Sequence, residues 1–368
     1  MKYYLIAGER SGDMHAANLM RGLAQQDPQA TFRYYGGDAM QAVGGELVRH
    51  YQDMNFMGIW EVIKNLGKIK RFLRECQADL LAFQPDVLIL VDYAGFNMRM
   101  AKFAKQNGLR TFYYISPKIW AWNTGRAHNI KRWVDKMFVI FPFEVDFYKQ
   151  FDYQVDYVGN PLWDAIQQHH PLPDFKAKHQ LDERPIVALL PGSRPQEVQK
   201  MLPMMLSVRV QFPQYQFVVA GVSNLSTQMY EIVQSTPDVK MILEETYDLL
   251  LHSEVAVVTS GTATLETALF NVPQVVGYRT SFLTYKLGRA LIKVNYLSLV
   301  NLVMDKPVVK ELIQSECNPQ QLAEELRQIM EGGVKRAAVL ADYATLRAKM
   351  GSAGASEKAA QLMWQYLQ

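Results

Sequence analysis

The feature that most constrains this chain is an alternation that occurs twice. Short apolar runs rich in branched and aromatic residues are separated by segments of helical period. The first half holds KYYLIAG, TFRYYGG, DVLILVD, RTFYYIS and KMFVIF; the second holds IVALLPG, QFVVAG, VKMIL, VAVVTS and PQVVGYR. Several are apolar throughout rather than alternating, as parallel strands covered by helices on both faces require. The pattern predicts an α/β chain of two Rossmann-like, doubly wound domains facing a cleft, with a helical C-terminus. The polar, proline-containing stretch 167–185 reads as the linker between domains 1–166 and 186–340. Residues 341–368 read as C-terminal helices able to pack back on the first domain.

Composition narrows the function classes. A chain of 368 residues that is 49% hydrophobic has ample core for two domains. A net charge of +3 is too small and too dispersed for a nucleic-acid binder. Cys76 and Cys317 are far apart and lack metal spacing, so they read as reduced thiols. The N-terminus shows no signal-peptide pattern, and no window approaches the roughly 18 apolar residues of a membrane-crossing helix.

In open parallel sheets, ligands bind beyond the carboxyl ends of the strands, so the post-strand loops carry the argument. ALLPGSRPQEV sets Gly192, Ser193 and Arg194 between a strand and a helix. That arrangement suits a phosphate, with a donor fork from the arginine, or a tight turn with a surface arginine. VVTSGTATLETALF runs a buried-looking strand through Ser260, Gly261 and Thr262 into an apolar helix, whose free amides favour a diphosphate. Glu266 lies in its first turns, placed for ribose hydroxyls or for the helix dipole. Together the two loops predict a nucleotide diphosphate site in the second domain.

In the first domain, DVLILVD ends on Asp92, a carboxylate at the mouth of the sheet. YYISPKIWAWNTGR offers Ser116, Trp120, Trp122 and Arg126; from the residues alone, the tryptophans read as core. The opening loop AGERSGD carries Glu9, Ser11 and Asp13, lacks the G-x-G-x-x-G spacing, and has two carboxylates that disfavour a phosphate at close range. It reads as the acceptor side of a site, where carboxylates suit sugar hydroxyls or proton transfer.

The ordered series AGERSGD, MGIWEVI, ISPKIWAW, FPFEVDFY, VGNPLWD, LLPGSRPQEV, SGTATLE, VVGYR and VKELIQ resembles the lipid-A-disaccharide synthase family, from about residue 5 to 330. The resemblance implies an inverting glycosyltransferase of the GT-B type. Its substrates would be UDP-2,3-diacylglucosamine and 2,3-diacylglucosamine 1-phosphate, giving a β-1,6-linked disaccharide 1-phosphate and UDP. It also implies no metal or other cofactor, and a Gram-negative type of source. Asp92 is then the base, with Glu9 second and Ser11 and Asp13 as positioning groups; Asn97, Ser116 and Trp120 join the acceptor side. Gly192, Ser193, Arg194, Ser260, Gly261, Thr262, Glu266 and Arg279 face the UDP-sugar. By the resemblance alone, Asn301, Glu311 and Gln314 also contact the donor. The chain departs from the family at Gly95, Val300 and Asn160, where aspartate, proline and histidine are usual. Another UDP-sugar enzyme on this scaffold, such as a UDP-N-acetylglucosamine 2-epimerase, is the alternative; a non-catalytic UDP-sugar or lipid-binding protein is a further one.

Acylated substrates require a lipid-facing surface. In NFMGIWEVIKNLGKIKRFLRECQ, apolar residues recur at three-to-four spacing, which fits an ordinary amphipathic helix packed on the sheet. Its basic excess suggests contact with an anionic bilayer through Phe56, Met57, Trp60, Lys64, Lys68, Lys70 and Arg71. The expected location is therefore cytoplasmic, peripheral on the cytosolic face of the inner membrane.

Overall fold

A computed structural model describes residues 1–54, 65–281, 285, 289 and 294–368. The chain forms two compact units, 1–164 with 351–368, and 165–350. The first unit holds β1 (Lys2–Ala7), β2 (Thr31–Gly36), β3 (Glu46–His50), β4 (Val87–Val91), β5 (Thr111–Tyr114), β6 (Lys136–Val139) and β7 (Asp156–Tyr157), in the sheet order β3-β2-β1-β4-β5-β6-β7. All its pairings are parallel. The second unit holds β8 (Ile186–Leu190), β9 (Gln216–Gly221), β10 (Val239–Leu243), β11 (Ser253–Thr259), β12 (Gln274–Tyr278) and β13 (Lys310–Ile313), in the parallel order β10-β9-β8-β11-β12-β13.

The uninterrupted apolar runs have a direct cause. Successive side chains of a strand point to opposite faces, and helices cover both. Tyr4, Ile6, Leu88 and Leu90 pack into one core layer, while Tyr3, Leu5, Val87 and Ile89 pack into the other. Burying each such aliphatic side chain is worth about 1.5–3 kcal/mol, so Leu88→Ala would cost more than almost any surface change.

Three strands lie outside the apolar runs given above. ELVRH forms β3, the two residues Asp156–Tyr157 form β7, and KELI, which carries Glu311, forms β13. All three are polar sheet edges, where alternation and apolar runs are weakest.

The C-terminal helix Ala355–Leu367 lies on the first unit against the helix Arg10–Gln26. Their approach is close enough that a Cβ on Gly22 would stand 2.8 Å from the Cβ of Ala360. Ala359, Ala360 and Met363 complete that core layer. The Asp164 carboxylate anchors the start of the helix, accepting from the amides of Gly354 (2.6 Å), Ala355 and Ser356.

Candidate functional site

Each sheet has one point where its strand order reverses, between β1 and β4 in the first unit and between β8 and β11 in the second. Crevices open at such points, because the flanking loops leave toward opposite faces. Four of the motifs singled out from sequence, AGERSGD, DYAGFN, PGSR and SGT, fall on the loops that follow these strands.

At the first reversal, β1 runs into Gly8 and Glu9, and β4 into Asp92 and Tyr93. Glu9 and Ser11 are exposed, at the start of the helix Arg10–Gln26. Asp13 is buried, and its two oxygens accept from the amides of Gly37 (2.7 Å), Ala39 (2.9 Å) and Met40 (3.2 Å). This carboxylate is committed to the loop after β2. Asp92 is partly buried, in the left-handed region at φ 45°, as is Tyr93. The helix after it begins at Ala94 with Tyr93 as its N-cap, so Asp92 does not hold the capping position. Burial raises the Asp92 pKa, and the Lys118 ammonium, on the loop after β5, opposes that rise. Lys118 was not among the residues picked out from sequence, although ISPKIWAW places it one strand from Asp92.

Asn97 is fully buried. Its amide donates to the carbonyls of Asp92 (2.8 Å) and Val91 (3.1 Å) and lies 3.4 Å from that of Ile6, so it stitches β1 to β4 from within the core. Ser116 and Trp120 are buried as well. The Ser116 hydroxyl bonds the Tyr148 hydroxyl at 2.7 Å, and Trp120 donates its indole N–H to Glu144 at 3.1 Å. The other Glu144 oxygen accepts from the amides of Ile140 and Phe141. Burial pushes Glu144 up to about 7, against the pull of these donors. Of the two tryptophans read as core, Trp120 is a core residue, while Trp122 is exposed with Arg126 over its ring.

At the second reversal, Gly192 has φ 108°, and a Cβ there would stand 2.5 Å from a Glu197 oxygen. Only glycine fits this turn without strain. Glu197 accepts from the amides of Ser193 (3.2 Å) and Arg194 (3.3 Å), and the Arg194 guanidinium lies 3.4 Å from its other oxygen. A carboxylate of the chain's own therefore takes the loop amides, and Arg194, 70% exposed, remains the loop's outward cation. Beyond β11, Ser260 donates to the Leu297 carbonyl at 3.0 Å. Gly261 starts the helix Thr262–Leu269 without a side-chain cap, and Gly261 and Thr262 are exposed. The first amides of a helix lack intrahelical partners, so this end favours an anion. Glu266 accepts from the Tyr247 hydroxyl at 3.0 Å, and burial raises its pKa.

Arg279 is exposed just past β12. Gln314, at φ 54°, accepts from the Thr280 amide at 2.9 Å and so fixes the backbone beside it. Glu311 accepts from the amides of Leu297 and Ser298 and from Asn301, whose own side chain also bonds the Val309 backbone in both directions. Asn301 and Glu311 thus brace the 297–301 turn. Of the expected membrane contacts, Lys68 and Lys70 are exposed on the helix Leu66–Phe83, and Arg71 reaches Glu75 at 3.6 Å. Phe56, Met57, Trp60 and Lys64 lie outside the described residues.

Comparison with known proteins follows the same lines. A family profile described as "Lipid-A-disaccharide synthetase" matches residues 3–364. A protein named lipid-A-disaccharide synthase from Geobacter sulfurreducens is 36% identical over 370 residues, covering 99% of this chain and 96% of the relative. Namesakes from Syntrophus aciditrophicus (39% identical; 97% and 95% covered) and Coxiella burnetii (35%; 98% and 96%) agree. Among solved structures, a UDP-GlcNAc 2-epimerase from Neisseria meningitidis bound to UDP-GlcNAc superposes with a TM-score of 0.72 at 13% identity, covering 99% of this chain and 100% of that one. The glycosyltransferase of kitacinnamycin gives 0.68, also at 13% identity, over 100% and 99%. At that identity the structural likeness bears on fold alone, which is the GT-B arrangement of two Rossmann-like sheets. The profile and the relatives decide the family: this chain belongs to the lipid-A-disaccharide synthetases, the glycosyltransferases of lipid A disaccharide synthesis.

Proposed function

We propose that the protein transfers 2,3-diacylglucosamine from UDP-2,3-diacylglucosamine to the 6-hydroxyl of 2,3-diacylglucosamine 1-phosphate, with inversion at the anomeric carbon. The products are the β-1,6-linked disaccharide 1-phosphate and UDP. The observation that carries the reading is the position of Asp92, a half-buried carboxylate at the strand-order reversal of the first unit, with the Lys118 charge beside it.

Asp92 takes the proton of the acceptor 6-hydroxyl as that oxygen bonds to the anomeric carbon, and the bond to UDP breaks with its electron pair leaving on the diphosphate. A positioned base typically contributes ~10²–10⁴-fold. Glu9 is the second carboxylate of this mouth, and Ser11 positions the acceptor. In the second unit, Arg194, Arg279 and the amides at Gly261 and Thr262 meet the diphosphate as its charge grows. Glu266 accepts from the ribose. Asp13, Asn97, Asn301, Glu311 and Gln314 hold the loops that carry these groups. Binding of the acylated substrates is peripheral, at an anionic membrane surface on the cytosolic side; no helix among the described residues is long and apolar enough to cross a membrane.

The test is mass spectrometry of products after incubation with both acylated substrates and with the donor alone. The reading requires a disaccharide 1-phosphate that depends on the acceptor, together with UDP. A donor converted to its epimer without acceptor would instead identify an isomerase on this scaffold.

A further inference from the structure

Asp92 and Tyr93 at φ 45°, with Ile115 one strand over at φ 66°, put three non-glycine residues in the left-handed region at adjacent strand ends. Such residues are uncommon, and a β-branched isoleucine is a clear outlier. They persist only where the surroundings over-determine the backbone. Here the surroundings can be named. The Asp92 amide donates to the Tyr114 carbonyl at 3.1 Å, and the Ile115 amide donates to that of Phe138 at 3.0 Å. The Asp92 carbonyl is gripped from two directions, by the Tyr113 hydroxyl and by the Asn97 amide at 2.8 Å.

Tyr113 and Asn97 are fully buried, so neither reaches a substrate. Tyr113 lies on β5, the strand paired with β4. A phenol buried under an apolar sheet must find a partner for its O–H, and here the partner is the carbonyl of the residue assigned as base. Fixing φ and the carbonyl of one residue fixes the direction of its Cα–Cβ bond. We propose that Tyr113, together with Asn97, is a positioning residue for the transfer: its hydroxyl holds the Asp92 backbone in the left-handed turn and so aims the carboxylate. This inference rests on the assignment of Asp92 as base.

The test is a double-mutant cycle on the full chain, Tyr113→Phe with Asp92→Asn. Asparagine tolerates the left-handed region, so Asp92→Asn removes the base and leaves the turn. Tyr113→Phe is expected to lower kcat by roughly 10–100-fold, as a misaimed group would, with both KM values and UDP affinity unchanged. In the Asp92→Asn background the same change is expected to have no further effect. Asn97→Ala, which removes the second donor, should give the same pattern and decides the matter if the first variant fails to fold. A Tyr113→Phe enzyme with unchanged kcat overturns the inference, as does an equal loss in both backgrounds. Near-normal turnover by Asp92→Asn alone overturns the base assignment and the inference with it, an outcome read before Tyr113 is touched.

Discussion

The Tyr93 ring lies against the Gly8 backbone so closely that a Cβ at position 8 would overlap it. This contact joins the loop after β1 to the loop after β4, across the strand-order reversal. The Tyr93 hydroxyl is held by the Met54 carbonyl at 2.9 Å, so the ring has little room to yield.

Gly8→Ala should therefore displace Tyr93 and, through it, Asp92. Overpacking of this kind costs ~1–3 kcal/mol of stability, and a misplaced catalytic group can cost up to about 100-fold in rate. Thermal melts and steady-state turnover should both fall, with UDP affinity unchanged. Normal turnover would mean that the two loops move independently.

Arg194→Ala should weaken UDP binding by roughly tenfold or more. A charge-assisted hydrogen bond is worth about 1.5–3 kcal/mol, and the exposed guanidinium has a long, 3.4 Å contact with Glu197. Calorimetry with UDP measures this directly. Unchanged affinity would leave PGSR as a tight turn with a surface arginine.

Glu144 should make stability fall as pH rises. Burial lifts its pKa from 4.5 to about 7, so the folded chain holds a proton that the unfolded chain has lost. The stabilisation is complete below about 4.5 and disappears as pH rises through about 7, a change on the order of 3 kcal/mol. Relative to Glu144→Gln, the wild type should thus lose its advantage in denaturant melts between about pH 4.5 and 7. A gap that is constant or widens with pH contradicts the burial argument.

Changing Lys68, Lys70 and Arg71 together to Gln should reduce co-sedimentation with anionic vesicles, most clearly at low salt. Each basic residue near such a surface contributes ~1 kcal/mol, screened by salt. A folded variant that sediments as wild type does would exclude this helix as the membrane contact.

Much of this was legible from the sequence, for identifiable reasons. VLILV and KYYLIA are apolar because both of their faces are buried, and that pattern alone marks β4 and β1 and hence puts Asp92 at a strand end. ELVRH and KELI were not legible: polar edge strands do not carry the apolar signal, and Glu311 spends its charge on the backbone amides of a turn. The left-handed turn at Asp92 was hidden too, since the glycine of DYAGFN falls at position 95 and the donors that hold position 92 come from Tyr113 and Asn97. Asp13, Asn97 and Trp120 carry the residue types of a site, yet tertiary hydrogen bonds commit them to the fold. Composition cannot distinguish a carboxylate facing substrate from one facing amides.

Replacing the Asp92 carboxylate tests its proposed role as the base of the transfer. The measurement is turnover of Asp92→Asn at saturating donor and acceptor, with UDP affinity determined on the same preparation. A fall of ~10²–10⁴-fold with UDP affinity within error of wild type is the predicted result. Turnover within a few-fold of wild type would contradict it and would pass the role to Glu9.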